Sequence, residues 1–344
     1  MVMLQAVLPQ VAEHSDIVEL WISDNASTDD TPGMIEAAKA LGPFQYSRNR
    51  SNLGAVQNIL RLTTELARGE WVWALGDDDL LMPGALSRVV AQLQASPELD
   101  AVYFNFRCAD YQRDWPTEAV GGFDGSFDYL GNTELTDRYV SQWQELIRPE
   151  NVLCTQLYGH VIRRSVWINY WCGRELREMF ADVRHTYPHT CMLAETIMHK
   201  PSCYVAEPVL TIFNNGQSWT DEQPVIVLLR YPELLGLYGK LDLPAKQLSA
   251  CATAVFSSVE PFLVKILQKE AGPRSPTLGQ YLRANWRFRE AWTAIGRASV
   301  VAGRPWPLTQ LCRASLKAGQ LFSRARGKLQ LEGTRLRGAL DRLR

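Results

Sequence analysis

Between Ile17 and Phe106 short apolar runs alternate with amphipathic stretches, and no other feature of the chain restricts its fold as much. Ile17 to Ile22 reads as a buried strand, closed by the polar run Ser23 to Asp30. Thr31-Pro32 then opens a helix, because the fixed φ of proline suits a first helical turn. Met34, Ile35, Ala38 and Leu41 line its apolar side, and Gly42-Pro43 ends it. Phe44 to Tyr46 is a second strand and Leu53 to Leu66 a second helix, stopped near Gly69. Trp71 to Leu75 is a third strand that runs into Gly76-Asp77-Asp78-Asp79, followed by a helix over Pro83 to Gln94 and a strand over Ala101 to Phe106. A helix over Met3 to Glu13, with Leu4, Val7, Leu8 and Val11 on one side, precedes them all. Strands separated by such helices predict an α/β fold: a mostly parallel sheet with helices on both faces. In such sheets ligands bind beyond the carboxyl ends of the strands. Asp24 and the Asp77 to Asp79 triplet both fall there.

The rest of the chain is less regular. Arg107 to Gly131 reads as Gly- and aromatic-rich loops, Asp137–Ile147 and Thr190–His199 as helices, and the surroundings of Val161 and Val209 as strands. Beyond Val225 the pattern is almost wholly helical, which divides the chain into a domain over 1–222 and a helical region over 223–344. With 344 residues, 46% hydrophobic and 21% charged, the chain is neither disordered nor low in complexity. A core of that size needs no disulfides. The seven cysteines are scattered without a C-x-x-C pair, as expected of reduced, packed thiols rather than a zinc site. No run reaches the roughly 18 apolar residues of a membrane span, and the start lacks the order of a signal peptide. A cytoplasmic location is expected.

The net charge of −1 hides an asymmetry: from Arg283 to Arg344 fourteen Lys/Arg face three acids, a local +11, so residues 1–282 carry −12. Leu311, Leu321, Phe322, Leu329, Leu336, Leu340 and Leu343 recur near helical spacing with Arg and Lys between them. Such a basic amphipathic helix lies in an anionic membrane interface, here the inner face of the cytoplasmic membrane. A helix packed on the first domain with a solvated basic face is the other reading. Nucleic acid is not expected as a partner, because aromatic residues are not interleaved with the basic ones.

Three adjacent carboxylates repel one another unless a cation joins them. A hard divalent ion such as Mg²⁺ or Mn²⁺ takes oxygen ligands and bridges carboxylates to phosphates; a solvated acidic turn is the alternative for the triplet alone. Its context is informative. Asp24-Asn25-Ala26-Ser27-Thr28-Asp29 follows one strand, Asn52-Leu53-Gly54 with Asn58 follows the next, and Ala67-Arg68-Gly69-Glu70 precedes the triplet, which Met82-Pro83-Gly84-Ala85-Leu86 succeeds. In order and spacing residues 4–105 resemble glycosyltransferase family 2, the inverting nucleotide-sugar enzymes of GT-A fold.

The resemblance implies roles for particular residues. Asp24 and Asn25 face the nucleotide base and ribose, and Asn25, standing where the family has a second acid, can donate as well as accept, which suits a base other than uracil and leaves the donor nucleotide open. Asn52, Gly54 and Asn58 complete that side, Arg50 with Arg48 reaches the diphosphate, and Asp77 approaches the ribose. Asp78 is the main metal ligand, with Asp77 and Asp79 beside it, for Mg²⁺ or Mn²⁺. The family's pattern opens with a further strand ahead of the first helix; this chain starts inside that helix, so a sheet lacking its first strand, with an open edge, is expected. The family places its catalytic base within Phe180 to His189, where Asp182 is the first candidate and His185 and His189 follow. Trp219 is a candidate for stacking on a sugar, whereas Trp167, Tyr170 and Trp171 read as core.

The activity implied is transfer of a sugar from a nucleotide-sugar to a hydroxyl of a glycan or lipid-linked acceptor, with inversion, in surface polysaccharide or lipid-linked glycan assembly. A catalytically inactive, glycosyltransferase-like subunit of an assembly complex is the alternative. A sugar-phosphate nucleotidyltransferase is disfavoured, since it needs a Gly-rich basic phosphate loop near its start.

Overall fold

The computed structural model describes residues 1–216 and 219–303. The basic helix expected over 308–343, and Cys312, lie outside them. The chain divides into two compact units, Met1–Thr220 with Gly236–Leu248, and Asp221–Leu235 with the residues from Ser249 onward.

In the first unit the alternation of strand and helix appears largely in the expected order: α1 (Val2–Glu13), β1 (Trp21–Asp24), α2 (Thr31–Ala38), β2 (Gln45–Arg48), α3 (Ala55–Arg61, continued by a π turn over Leu62–Leu66), β3 (Trp71–Trp73), β4 (Asp79–Leu81), α4 (Ala85–Ala95) and β5 (Ala101–Asp110). Two differences stand out: β4 is not among the expected strands and is formed because β9 pairs with it, and β1 begins only at Trp21 and is mostly half-exposed. After a short helix α5 (Tyr111–Asp114) come β6 (Tyr129–Leu130), β7 (Arg138–Val140), β8 (His160–Arg163), α6 (Arg164–Trp171), α7 (Val183–Thr186), α8 (Pro188–Ile197) and β9 (Ser202–Asn214). The α/β class and the central sheet flanked by helices are as expected. Strand directions are more mixed than a mostly parallel sheet. β1 and β2 form a parallel pair of their own, and the larger sheet runs β3-β8-β5-β9-β4, with only β5 and β9 parallel in it. The reason lies in the second half of the unit: β8 is inserted between β3 and β5 and runs against both. Among the described residues no strand pairs with both β1 and β3. Their starts nevertheless lie side by side, because Glu19, ahead of β1, accepts the backbone N–H groups of Arg68 and Gly69, ahead of β3, at 2.6 and 2.9 Å.

The segment Asp137–Ile147, expected as a helix, is β7 followed by a 3-10 turn over Trp143–Leu146. Tyr139, Trp143 and Leu146 do recur at helical spacing, but two tertiary demands override it. The edge of β9 takes Arg138–Val140 in antiparallel register, and Trp143 is wholly buried, its N–H bonded to the Lys200 carbonyl at 2.8 Å. Likewise the strand expected to end at Phe106 continues to Asp110, because β9 offers it a partner all the way. At the register shift between Phe104 and Phe106 the buried Asn105 donates to the Asn132 and Ala206 carbonyls and accepts the Phe106 and Asn132 N–H groups, so the bulge leaves none of these groups unpaired.

The core beneath β4 joins Ala6 of α1 to Leu80, Ala109, Ala119 and Phe213. Gln10 of α1 is buried and ties the corner after β4 together: its Nε2 donates to the Ala6, Met82 and Gly121 carbonyls and its Oε1 accepts the Leu86 N–H. Gly122 permits the approach of that loop, since a Cβ there would stand 2.4 Å from the Pro83 nitrogen.

The second unit is helical in its described part. α9 (Gln223–Val225) and a π turn over Ile226–Arg230 lead into α10 (Tyr231–Lys240), and α11 (Ala245–Ser258), α12 (Glu260–Gln268), α13 (Leu278–Asn285) and α14 (Arg289–Val301) follow; α10 and α11 each run across the division between the units. Leu263 and Leu267 of α12 and Ala291, Ala294, Ile295 and Ala298 of α14 are buried where these two helices pack. A capping box of Thr277 and Gln280 starts α13. No single helix among the described residues is long and apolar enough to cross a membrane.

Candidate active site

Two polar regions lie where β1 and β3 end, and they differ in how their groups are satisfied. At the end of β1, Asp24 is 4% exposed. Its Oδ2 accepts the Tyr46 hydroxyl at 2.6 Å and its Oδ1 the Ser27 N–H at 2.7 Å, while Arg48 Nε stands 3.4 Å from Oδ2. Burial works against the charge, but the hydrogen bonds from Tyr46 and Ser27 and the Arg48 guanidinium outweigh it and hold the Asp24 carboxyl below the usual range. The same loop carries Ala26 at φ +64°, a left-handed conformation costly for a residue with a Cβ. Arg48 locks it by donating to the Ser27 carbonyl at 2.6 Å.

Beside Asp24 the asparagines bind one another. Asn25 Oδ1 accepts from Asn49 Nδ2 and the Leu53 N–H, both at 2.9 Å, and Asn25 Nδ2 donates to Asn52 Oδ1 at 2.9 Å. Asn58 Oδ1 accepts from Ser23 Oγ and Asn49 Nδ2. Asn49, which the sequence reading did not select, is the hub: it is buried, its Oδ1 accepts Arg61 at 2.7 Å, and its backbone N–H reaches the Asp24 carbonyl. Only its spacing from Asn52 and Asn58 hints at this role. Gly54 adopts φ +79° at the start of α3, which explains a glycine there. Arg50 is exposed and joins no ion pair among the described residues.

The acidic turn after β3 is the opposite. Asp77 is exposed, Asp78 half-buried and Asp79 buried, and no lysine or arginine among the described residues forms an ion pair with any of them. Asp79 Oδ2 accepts the Gly76 N–H at 2.6 Å; burial above all, with repulsion from Asp78 and Asp77, pushes its carboxyl up to about 7. Burial and the charge of Asp77 also raise Asp78. Gly76 makes the turn possible, since a Cβ there would lie 2.6 Å from Asp78 Oδ1 and 3.1 Å from Asp79 Oδ2. Among the described residues no group of three His, Cys, Asp or Glu side chains is arranged to hold a metal by itself. Asp77 and Asp78 fit an ion that shares its coordination with phosphate, the usual arrangement for Mg²⁺; Asp79 is engaged with the backbone of the turn.

Asp79 opposes Ile212 of β9. In a further loop Trp219 meets Phe180, ring centroids 6.3 Å apart. Phe180, at φ +68°, leads into Asp182, the N-cap of α7. Asp182 pairs with His185 at 2.8 Å. Burial opposes its charge, and the two hydrogen bonds from His185 prevail, holding its carboxyl low. His189 is not part of this pair. It is 2% exposed within α8, with His160 at 5.6 Å, and burial drives its ring well below the usual imidazole range. Trp167 and Trp171 are buried, as read from the sequence.

Residues 2–155 match the family model described as glycosyl transferase family 2. This part of the chain belongs to that family. Among curated proteins the abequosyltransferase RfbV of Salmonella typhimurium is 37% identical over 84 residues, 24% of this chain. The match spans a quarter of that relative's own length, 25%. Among solved structures, S. aureus TarS 1–349 superposes with a TM-score of 0.52 at 12% identity, covering 88% of this chain and 80% of that one. The same protein in complex with UDP-GlcNAc gives 0.51 at 11%, covering 92% and 87%. At such identities the likeness is one of fold, and the family 2 domain shares the GT-A arrangement of these neighbours.

Proposed function

We propose that the protein is a glycosyltransferase that moves a sugar from a nucleoside diphosphate sugar to a hydroxyl group. The observation that carries this reading is the acidic turn Asp77 to Asp79: carboxylates at a strand end without a cationic side chain, inside a family 2 domain. Asp78, with Asp77 beside it, would hold Mg²⁺ or Mn²⁺, and Asp79 keeps the turn in place through Gly76. The ion supplies positive charge to the departing diphosphate. Asp24 and the network of Asn25, Asn49, Asn52 and Asn58 form the wall against which base and ribose lie, with Arg50 free to meet phosphate oxygens. Asp182 is the base, taking the proton of the acceptor hydroxyl as that oxygen attacks the anomeric carbon from the face opposite the diphosphate, so the configuration inverts. The Phe180–Trp219 pair beside it offers an apolar wall to an acceptor ring. The acceptor is a glycan or a lipid-linked glycan, and membrane association rests on the basic sequence over 308–343. Residues 1–222 act as the catalytic domain in this reading, and 223–344 as its accessory region.

Calorimetric titration with UDP, CDP, GDP and dTDP, with and without Mn²⁺, tests the donor site. Binding of one nucleotide that depends on the metal and disappears in Asp78→Ala is expected. Absence of binding by all four would favour the inactive, binding-subunit alternative instead.

A further inference from the structure

Asp182 and His185 meet in a way that distinguishes the two oxygens of the carboxylate. Oδ1 receives two N–H groups of the same residue, the His185 backbone at 2.9 Å and the ring Nδ1 at 2.8 Å. A carboxylate only accepts, so Nδ1 carries the proton. The His185 side chain is 4% exposed and its ring meets Trp171 at a steep angle, centroids 6.0 Å apart, so it is packed in place. Oδ2 has Arg177 Nη1 at 3.9 Å, beyond hydrogen-bonding distance, and the Asp182 side chain is 35% exposed. The other charged groups nearby are engaged elsewhere: Arg184 of α7 binds the Tyr170 hydroxyl of α6 and Glu195 of α8. His185 holds Oδ1 and the Arg184 backbone N–H also supports the carboxylate, while Oδ2 keeps a long ion pair with Arg177 and, among the described residues, no side-chain hydrogen bond.

We propose that His185 is a positioning residue that clamps Asp182 Oδ1 and so presents Oδ2 to the acceptor hydroxyl. This rests on the reading of Asp182 as the base. In that step the O–H proton passes to Oδ2 and the hydroxyl oxygen forms its bond to the anomeric carbon. The bond from that carbon to the phosphate oxygen breaks, and its electron pair leaves with the diphosphate. His185 neither gains nor loses a proton. Its contribution is a carboxylate oriented before substrate arrives, which avoids reorganisation during the reaction.

The test compares His185→Phe, which keeps a ring but removes the donor, with His185→Asn, whose Nδ2 can stand where Nδ1 stood. The Asp182 carboxyl midpoint is followed by carbon NMR on the full chain without substrate. In His185→Phe it should rise by about one pH unit, while in His185→Asn it should stay near wild type. Turnover of UDP-, GDP-, CDP- and dTDP-hexoses should show kcat lower by about 10²-fold in His185→Phe with KM for the donor unchanged, and largely recovered in His185→Asn. Should the Phe variant not fold, His185→Ala with added imidazole makes the same comparison. An unmoved midpoint in the donor-free variant, or equal losses in both, would overturn the proposal. Asp182→Asn separates the two layers: if it turns over donor at the wild-type rate, the base assignment fails. If it is inactive while His185→Phe is normal, only the role of His185 fails.

Discussion

The ends of β1 and β3 are both acidic and both fall where the fold places ligands, yet they are built on opposite principles. Around Asp24 the polar groups satisfy one another: Tyr46, Ser27 and Arg48 hold the carboxylate, and Asn25, Asn49, Asn52 and Asn58 share their amides. Around Asp77 and Asp78 the carboxylates face each other without a cationic side chain. A saturated network is stiff and costly to break, because removing one partner strands the rest. An unsatisfied cluster adds little to the fold and is available to bind. Residues with similar places in a sequence pattern can therefore be scaffold in one loop and binding group in the next.

Substitutions can break this comparison, and the largest effect is expected at Asp78. Asp78→Ala should lower donor turnover by about 10³-fold, roughly 4 kcal/mol, yet leave the melting temperature equal or higher, since it removes one of several repelling charges. A clear loss in a thermal melt would show that the acidic turn is scaffold too. Asp24→Ala should behave the other way, losing about 3 kcal/mol in urea unfolding because the Tyr46 hydroxyl and the Ser27 N–H lose their acceptor and Arg48 loses its counter-charge. A variant as stable as wild type would remove the distinction. Asn58→Ala, which strands the Ser23 hydroxyl and an Asn49 donor, should cost about 1–2 kcal/mol by the same measurement.

The pH dependence sharpens the same contrast with a smaller effect. The Asp24 carboxyl titrates lower in the folded chain than in the unfolded one. Its contribution is therefore complete above the unfolded value near 4 and is lost as pH falls through the folded value. Unfolding free energies measured from pH 5 down to 2 should fall less steeply in Asp24→Asn than in wild type. Identical slopes would mean that the buried hydrogen bonds do not favour the ionised form.

Much of the first unit was legible because its signals are local. Apolar runs bounded by Gly, Pro and acidic residues located β1, β2, β3 and β5 and the helices between them to within a few residues. Trp143 shows where such reading stops. Its spacing from Tyr139 and Leu146 fits a helix, and only the open edge of β9 and the chain after α8 turn that segment into strand and 3-10 turn. Gln10 and Asn49 were missed for the same reason: a polar residue in a helix or loop gives no sign of the carbonyls or amides that will meet it from dozens of residues away.

By itself the sequence determined most of the order of strands and helices up to β5, the family likeness of residues 2–155 and the position of the acidic turn. Each of these depends on near neighbours along the chain, whose spacing and chemistry are written in order. Only the tertiary structure decided the strand directions, the saturation of Asp24, the burial of His189 and the clamping of Asp182 by His185. Those depend on which distant groups share a small volume, and in that volume every buried donor and acceptor must find a partner or be left for a ligand.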